Sequence, residues 1–199
     1  EVASLRSQAP HILPGSGFLD LVRFSQTHGP QEVHDTLGRR VQELRGNADP
    51  GKNGQRPRLL LTGSVIEDPD LVDRICELGG DVVCEDMCNG QRDLRPLTDT
   101  DRPPLQAIAE RMLIRPSCPR MLGAGKRIER TVHLALDHAC QGVIIHSLKF
   151  CDLTQADLPR LHAELKKQGI PCVHIEQDAL HEDRGQLTTR IQAFLETLA

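Results

Sequence analysis

Seven cysteines are the residues of this 199-residue chain best equipped for chemistry: Cys76, Cys84, Cys88, Cys118, Cys140, Cys151 and Cys172. Their number is odd, they are scattered, and no charged segment followed by an apolar one precedes them. That pattern does not fit the disulfide framework of a small secreted protein. No C-x-x-C pair occurs, which removes a zinc ribbon and a thioredoxin-type motif. Two roles remain. A cysteine is a small core residue, or its thiolate is a soft ligand for iron or another thiophilic metal.

Which role applies depends on the element that carries each one. Residues 1–50 read as a helical appendage. Ser16 caps a helix from Gly17 to Thr27, and a second helix over 31–45 places Val33, Leu37, Val41 and Leu44 on one stripe. Residues 46–57 are turn chemistry without periodicity, a boundary before a domain over 57–199. In that domain, short apolar strands at 58–62, 81–85, 142–146 and 171–175 alternate with helices at 68–78, 103–114, 124–140, 154–168 and 186–198. The pattern predicts a three-layer, Rossmann-like α/β domain with a four-stranded, mostly parallel sheet, preceded by two helices. On this reading Cys76 and Cys140 sit in helices and Cys84 and Cys172 in strands, all as core residues. Cys88, Cys118 and Cys151 fall in loops, where a thiolate can reach a metal.

Open α/β sheets bind ligands outside the carboxyl ends of their strands. The segments at that edge are polar. Ser64 follows the first strand; Glu85, Asp86, Cys88 and Arg92 follow the second; Lys149 and Cys151 follow the third; Glu176 and Asp178 follow the fourth. Thr62-Gly63-Ser64 can bind phosphate at a helix start but lacks the spacing of a P-loop or dinucleotide fingerprint. The four carboxylates suit acid–base work or the solvation of loops. His146, at a strand end, reads as a satisfied core histidine. No residue is singled out as a catalytic acid, base or nucleophile.

Composition narrows the classes further. A net charge of −4 with no cluster of basic residues argues against nucleic acid as a partner. No run approaches ~18 apolar residues, so no segment reads as spanning a membrane. Unpaired cysteines point to a reduced, cytoplasmic setting. Trp and Tyr are both absent. The chain opens on Glu1, which reads as a fragment, a processed product or one piece of a longer protein.

Several segments together resemble a known family. They include Arg58-Leu-Leu-Leu-Thr-Gly-Ser64 with Asp68-Pro69, Gly80-Asp-Val-Val-Cys-Glu-Asp-Met-Cys-Asn-Gly-Gln-Arg92, and Arg115-Pro-Ser-Cys118. The strongest is Gly142-Val-Ile-Ile-His-Ser-Leu-Lys-Phe-Cys-Asp152, followed by Ile175-Glu-Gln-Asp178 and Gly185-Gln-Leu-Thr-Thr-Arg190. In order and spacing they are similar to the C-terminal half of the 2-hydroxyacyl-CoA dehydratase and benzoyl-CoA reductase components.

The resemblance implies an enzyme that works as part of a larger complex. It implies two Rossmann-like domains and an oxygen-sensitive 4Fe–4S cluster on three cysteines, two from an N-terminal domain and one from the C-terminal domain. Cys151 is carried over as that last ligand, with Cys88 and Cys118 as weaker candidates. Ser64, Glu85, Asp86, Arg92, Lys149, Glu176 and Asp178 would form the surroundings of substrate and cluster. Arg92 and Lys149 would offset the charge of the cluster or of an acyl-CoA. The partners implied are a homologous second subunit, an ATP-hydrolysing iron–sulfur activator that injects a low-potential electron, and an acyl-CoA substrate. The outcome is reduction of an aromatic ring, slightly preferred, or dehydration of a 2-hydroxyacyl-CoA. A related branch carries a double-cubane cluster and reduces small molecules. This sequence lacks the N-terminal domain, so an isolated chain is expected to be inactive. The contrasting expectation is a metal-free α/β module that binds a nucleotide or a partner protein.

Overall fold

The computed structural model describes residues 1–47, 56–66, 70–116, 118–178 and 184–198. The apolar runs form four strands: β1 (Arg58–Gly63), β2 (Asp81–Asp86), β3 (Gly142–Leu148) and β4 (Cys172–Gln177). All pair in parallel, in the order β2-β1-β3-β4. Parallel neighbours need crossovers, and helices supply them. After β1 comes α4 (Asp70–Glu77); between β2 and β3 come α5 (Gln91–Leu94), α6 (Pro104–Ile114) and α7 (Ala124–Asp137). Then α8 (Asp152–Lys167) leads to β4, and α9 (Arg184–Glu196) closes the chain.

The strands are apolar on both faces because both faces are covered. Leu59, Leu61 and Ile144 pack with Ile75 of α4 and Ile191 of α9. Leu60, Val143 and Ile145 pack on the other side with Ile128 and Ala135 of α7 and Leu165 of α8. Leu59, Leu60 and Leu61 are wholly buried, each contributing about 1.5–3 kcal/mol. The layers are those the alternation predicts, and the sheet is parallel throughout.

The N-terminal segment differs from the sequence reading. It holds three helices, α1 (Val2–Gln8), α2 (Gly17–Thr27) and α3 (Pro30–Asn47), with a 3-10 turn at Pro10–Ile12. The first has no clear apolar period, which is why it escapes pattern reading. Tertiary contact holds it instead. β2 is an edge strand, and α1 and the 3-10 turn lie against it, so its open edge is covered. Arg6 is buried with its guanidinium 5.2 Å from the Phe18 ring centre. Arg58 donates to the Ser7 carbonyl at 2.9 Å. Leu13, Phe18, Val22 and Leu44 make a small core of their own. The boundary expected at 46–57 begins later than read, since α3 runs through Asn47. Residues 48–55, and the helix start expected at Asp68-Pro69, lie outside the described residues.

The structural cysteines also need two corrections. Cys76 on α4 is only half-buried and accepts from the Gly15 N–H at 3.3 Å instead of packing in the core. Cys84 and Cys140 are buried in the core under α7 and α8, and Cys172 packs against it. Cys140 is not helical. α7 stops at Asp137, and the Cys140 N–H closes the end on the Ala135 carbonyl at 2.8 Å. Burial pushes its thiol up to about 12. No helix among the described residues is long and apolar enough to cross a membrane.

Candidate functional site

The strand order reverses between β1 and β3, so the crevice outside their carboxyl ends is the switch point where such sheets bind ligands. Gly63 ends β1 there with φ +137°, and a Cβ on it would lie 1.8 Å from the His146 carbonyl oxygen. Only glycine lets the two strands approach so closely. Ser64 then ties the edge together. Its N–H donates to the His146 carbonyl at 3.0 Å, and its hydroxyl accepts from the Leu148 N–H at 3.1 Å. Ser64 is therefore held in place by the backbone at this edge.

Three loops meet at this crevice, and each carries one of the loop cysteines. Cys151 is the residue before α8 and caps it with main-chain geometry, so the helix starts two residues ahead of the start expected at 154. Its sulfur lies 3.2 Å from the Thr154 hydroxyl. A helix start suits an anion. Phe150, just before it, is 90% exposed in a left-handed conformation with φ +63°. Cys88 stands on the loop after β2, where Arg92 donates to its sulfur at 3.3 Å. Its S–H faces the Gly63 carbonyl at 3.7 Å. Burial pushes this thiol up, Arg92 opposes that, and Cys118 and Cys151 both lie near enough to add to it. Cys118 is exposed, but Arg127 holds its loop by donating to the Cys118 and Met121 carbonyls at 3.2 and 2.9 Å. A small cleft is lined by Gly63, Arg92, Pro119, Arg127 and Thr154, residues that touch or adjoin all three cysteines.

The carboxylates expected at this edge do not act as one group. Asp86 is 2% exposed and takes two guanidinium groups, Arg92 at 3.1 Å and Arg130 at 3.2 Å. Arg92 also donates to the Asp86 carbonyl. Two cations on one buried carboxylate leave a surplus positive charge beside Cys88. Glu85 is also buried, and burial raises its carboxyl to about 7 against the pull of its donors. Those donors are the Met87 N–H at 3.0 Å and the Gln91 N–H at 2.5 Å. It shapes the Cys88 loop from inside, with Gly90 pressed against its carboxylate. Glu176 accepts from Gln155 at 2.5 Å. Lys149 pairs with Asp178 at 3.7 Å, with both side chains partly exposed. His146 is fully buried and its Nε2 donates to the Gln177 side-chain oxygen at 3.1 Å, while its Nδ1 has no partner among the described residues. Burial pulls its pKa down to about 4, so it is neutral.

Sequence reasoning missed Arg127 and Arg130, and it read Thr154 only as the start of a helix. The basic start of the 124–140 helix was the available signal for the two arginines. Nothing marked which strand or loop they face. Among the described residues, no three of His, Cys, Asp and Glu stand close enough to hold one metal ion. The described residues do not by themselves assemble a full ligand set.

A family description of known proteins decides the kinship: the 2-hydroxyglutaryl-CoA dehydratase D-component matches residues 1–198. The chain belongs to that family. It is 31% identical over 141 residues to the (R)-phenyllactyl-CoA dehydratase beta subunit of Clostridium sporogenes, covering 71% of this chain and 38% of that protein. To the lactoyl-CoA dehydratase subunit beta of Anaerotignum propionicum it is 25% identical, covering 84% of this chain and 45% of that one. To the putative dehydratase subunit YjiM of Escherichia coli it is 28% identical, covering 95% and 50%. The chain thus spans about half the length, or less, of these relatives.

Proposed function

We propose that this chain is the C-terminal-half portion of an acyl-CoA dehydratase component, and that Cys151 is its ligand to a 4Fe–4S cluster. The observation that carries the reading is the placement of Cys151 at the β1/β3 switch point, before α8, in a chain matched by the D-component family over residues 1–198. The cluster, when bound, would supply single-electron chemistry at low potential. The protein's own groups do the rest. The Asp86–Arg92–Arg130 cluster keeps surplus positive charge beside the edge, where an anionic cluster or thioester would need it. Gly63 and Ser64 fix the spacing of the strands that carry the loops.

Two further cluster ligands would come from the part of the relatives' length that has no counterpart here. A homologous second subunit and an ATP-hydrolysing iron–sulfur activator complete the assembly on this reading. The named relatives are dehydratases, which favours elimination of water from a 2-hydroxyacyl-CoA over the ring reduction and the double-cubane chemistry that the sequence also admits. The second reading is a metal-free α/β module that binds a nucleotide or a partner protein.

Anaerobic reconstitution with iron and sulfide separates them. The chain joined to an upstream half from a relative should show thiolate-to-iron absorption at about 400 nm. Cys151→Ser should lower both the absorption and the bound iron. Equal iron in the two proteins removes Cys151 from the ligand set.

A further inference from the structure

The face left unexplained lies between α6 and α7. α6 is 11 residues long and buries only Ala107 against its own domain, and a helix that short is marginal without packing. A groove of about 860 Å³ runs beside it. On its lining Met112, Leu113, Ile114, Met121 and Leu122 are each at least half exposed, Leu122 almost completely. That is several hundred Å² of contiguous apolar surface, the upper limit of what a monomer leaves bare. With the polar α7 residues alongside, the face approaches the roughly 800 Å² that each partner of a stable complex covers.

The charges on α7 say what kind of partner fits. Lys126 stands in its first turn and Asp137 is its last residue. Both line the groove, both are exposed, and neither makes an ion pair among the described residues. Each is at the wrong end. The first turn of a helix favours an anion and the last a cation, so α7 carries an unrelieved cost in the lone chain. The groove's arginines are matched within the domain: Arg115 by Asp93, Arg127 by Asp157, Arg130 by Asp86. A covering partner must therefore be apolar, with a negative charge over Lys126 and a positive one over Asp137, about 16 Å apart along the helix. The same face of a second copy has that pattern when its α7 runs antiparallel.

We infer that the α6–α7 face is a self-association surface. Two copies of this chain pack about a two-fold axis with their α7 helices antiparallel, Lys126 of each against Asp137 of the other, and Leu113 and Leu122 buried between them. A two-fold contact is self-complementary, so the one pair of charges is used twice. The opposed macrodipoles add to it. The inference goes beyond the acyl-CoA reading and needs neither cluster nor substrate.

The test is sedimentation velocity of the full chain, iron-free and with its thiols reduced, across the micromolar range. A species of twice 22.1 kDa should grow with concentration. Leu113→Asp and Leu122→Asp, both at exposed positions, should each weaken the dimer about tenfold or more. Lys126→Asp and Asp137→Lys should each weaken it by a similar factor, since each sets like charges against each other at both ends. Each also improves the dipole of α7 itself, so the fold is spared. Combining the two swaps should restore the dimer. Lys166→Glu on α8 should leave it unchanged. A chain that stays monomeric overturns the inference. So does a dimer insensitive to the leucine variants, or a double swap no better than the single ones. If the chain is monomeric and an upstream half from a relative, joined to it, shields these leucines from hydroxyl-radical footprinting, the face belongs to that half and self-association is refuted. A dimer that takes up no iron keeps this inference and loses the cluster; iron in a monomer does the opposite.

Discussion

Gly63 and His146 meet main chain to main chain at the carboxyl end of the sheet, and a Cβ at Gly63 would stand 1.8 Å from the His146 carbonyl oxygen. No side-chain adjustment can relieve that contact, because both sides are backbone. The φ of +137° adds strain for any other residue. Gly63→Ala should therefore cost about 3 kcal/mol or more. Urea unfolding followed by far-UV circular dichroism would measure it. A loss below about 0.5 kcal/mol, the range of an ordinary surface change, would refute the contact.

Asp86 compensates two guanidinium groups at once while being nearly inaccessible. Removing its charge leaves both cations without it, and Arg92 is itself only 12% exposed. Asp86→Asn should destabilise the chain by about 3–5 kcal/mol, as breaking a buried pair does. The double change of Asp86→Asn with Arg92→Met should recover part of that loss, since a stranded charge costs more than an absent pair. A double variant no more stable than the single one would show that Arg92 is not the stranded group.

Much of this arrangement is visible in the sequence, and the parts that are not share a cause. The strands and most helices announce themselves through apolar runs and Gly or Pro punctuation, so the edge with Cys88 and Cys151 follows from topology alone. α1 has no such period and exists through its contact with β2. The four carboxylates look alike in sequence, yet Glu85 turns inward beside Met87 and Gln91 while Asp86 meets α7. Adjacent strand residues point to opposite faces, so alternation separates them. What Asp86 would meet depends on Arg130, 44 positions away, and no local pattern encodes that pairing.

Glu85 and His146 should give opposing pH dependences. Burial raises the Glu85 carboxyl from 4.5 to about 7, so the folded state holds a proton that the unfolded chain has released. Its contribution to stability is present below the unfolded value and falls as pH rises toward 7. Burial lowers His146 from 6.5 to about 4, so the unfolded chain binds the extra proton. That contribution is present above 6.5 and is lost as pH falls toward 4. For either group, each tenfold change in proton affinity between the folded and unfolded chain is worth about 1.4 kcal/mol. Between pH 4.5 and 6.5 the two nearly cancel in the native chain. Glu85→Gln should expose the histidine slope, with stability rising with pH. His146→Asn should expose the glutamate slope, with stability falling. Parallel slopes in the two variants would contradict both assignments.

Arg127 fastens the Cys118 loop to α8 by donating to the Cys118 and Met121 carbonyls and pairing with Asp157 at 2.8 Å. Arg127→Gln keeps a donor but shortens the reach and removes the charge, so the loop loses its anchor while the sheet keeps its core. Local opening should become easier by about 1.4 kcal/mol, a tenfold rise in the open population. Arg120 is exposed in this loop, and trypsin reports the opening by cutting after it. Mass spectrometry should show that product forming about tenfold faster in Arg127→Gln, with cleavage after Lys166 on α8 unchanged. If both sites speed up together, Arg127 supports the whole domain instead. If neither does, the loop is held by something other than this side chain.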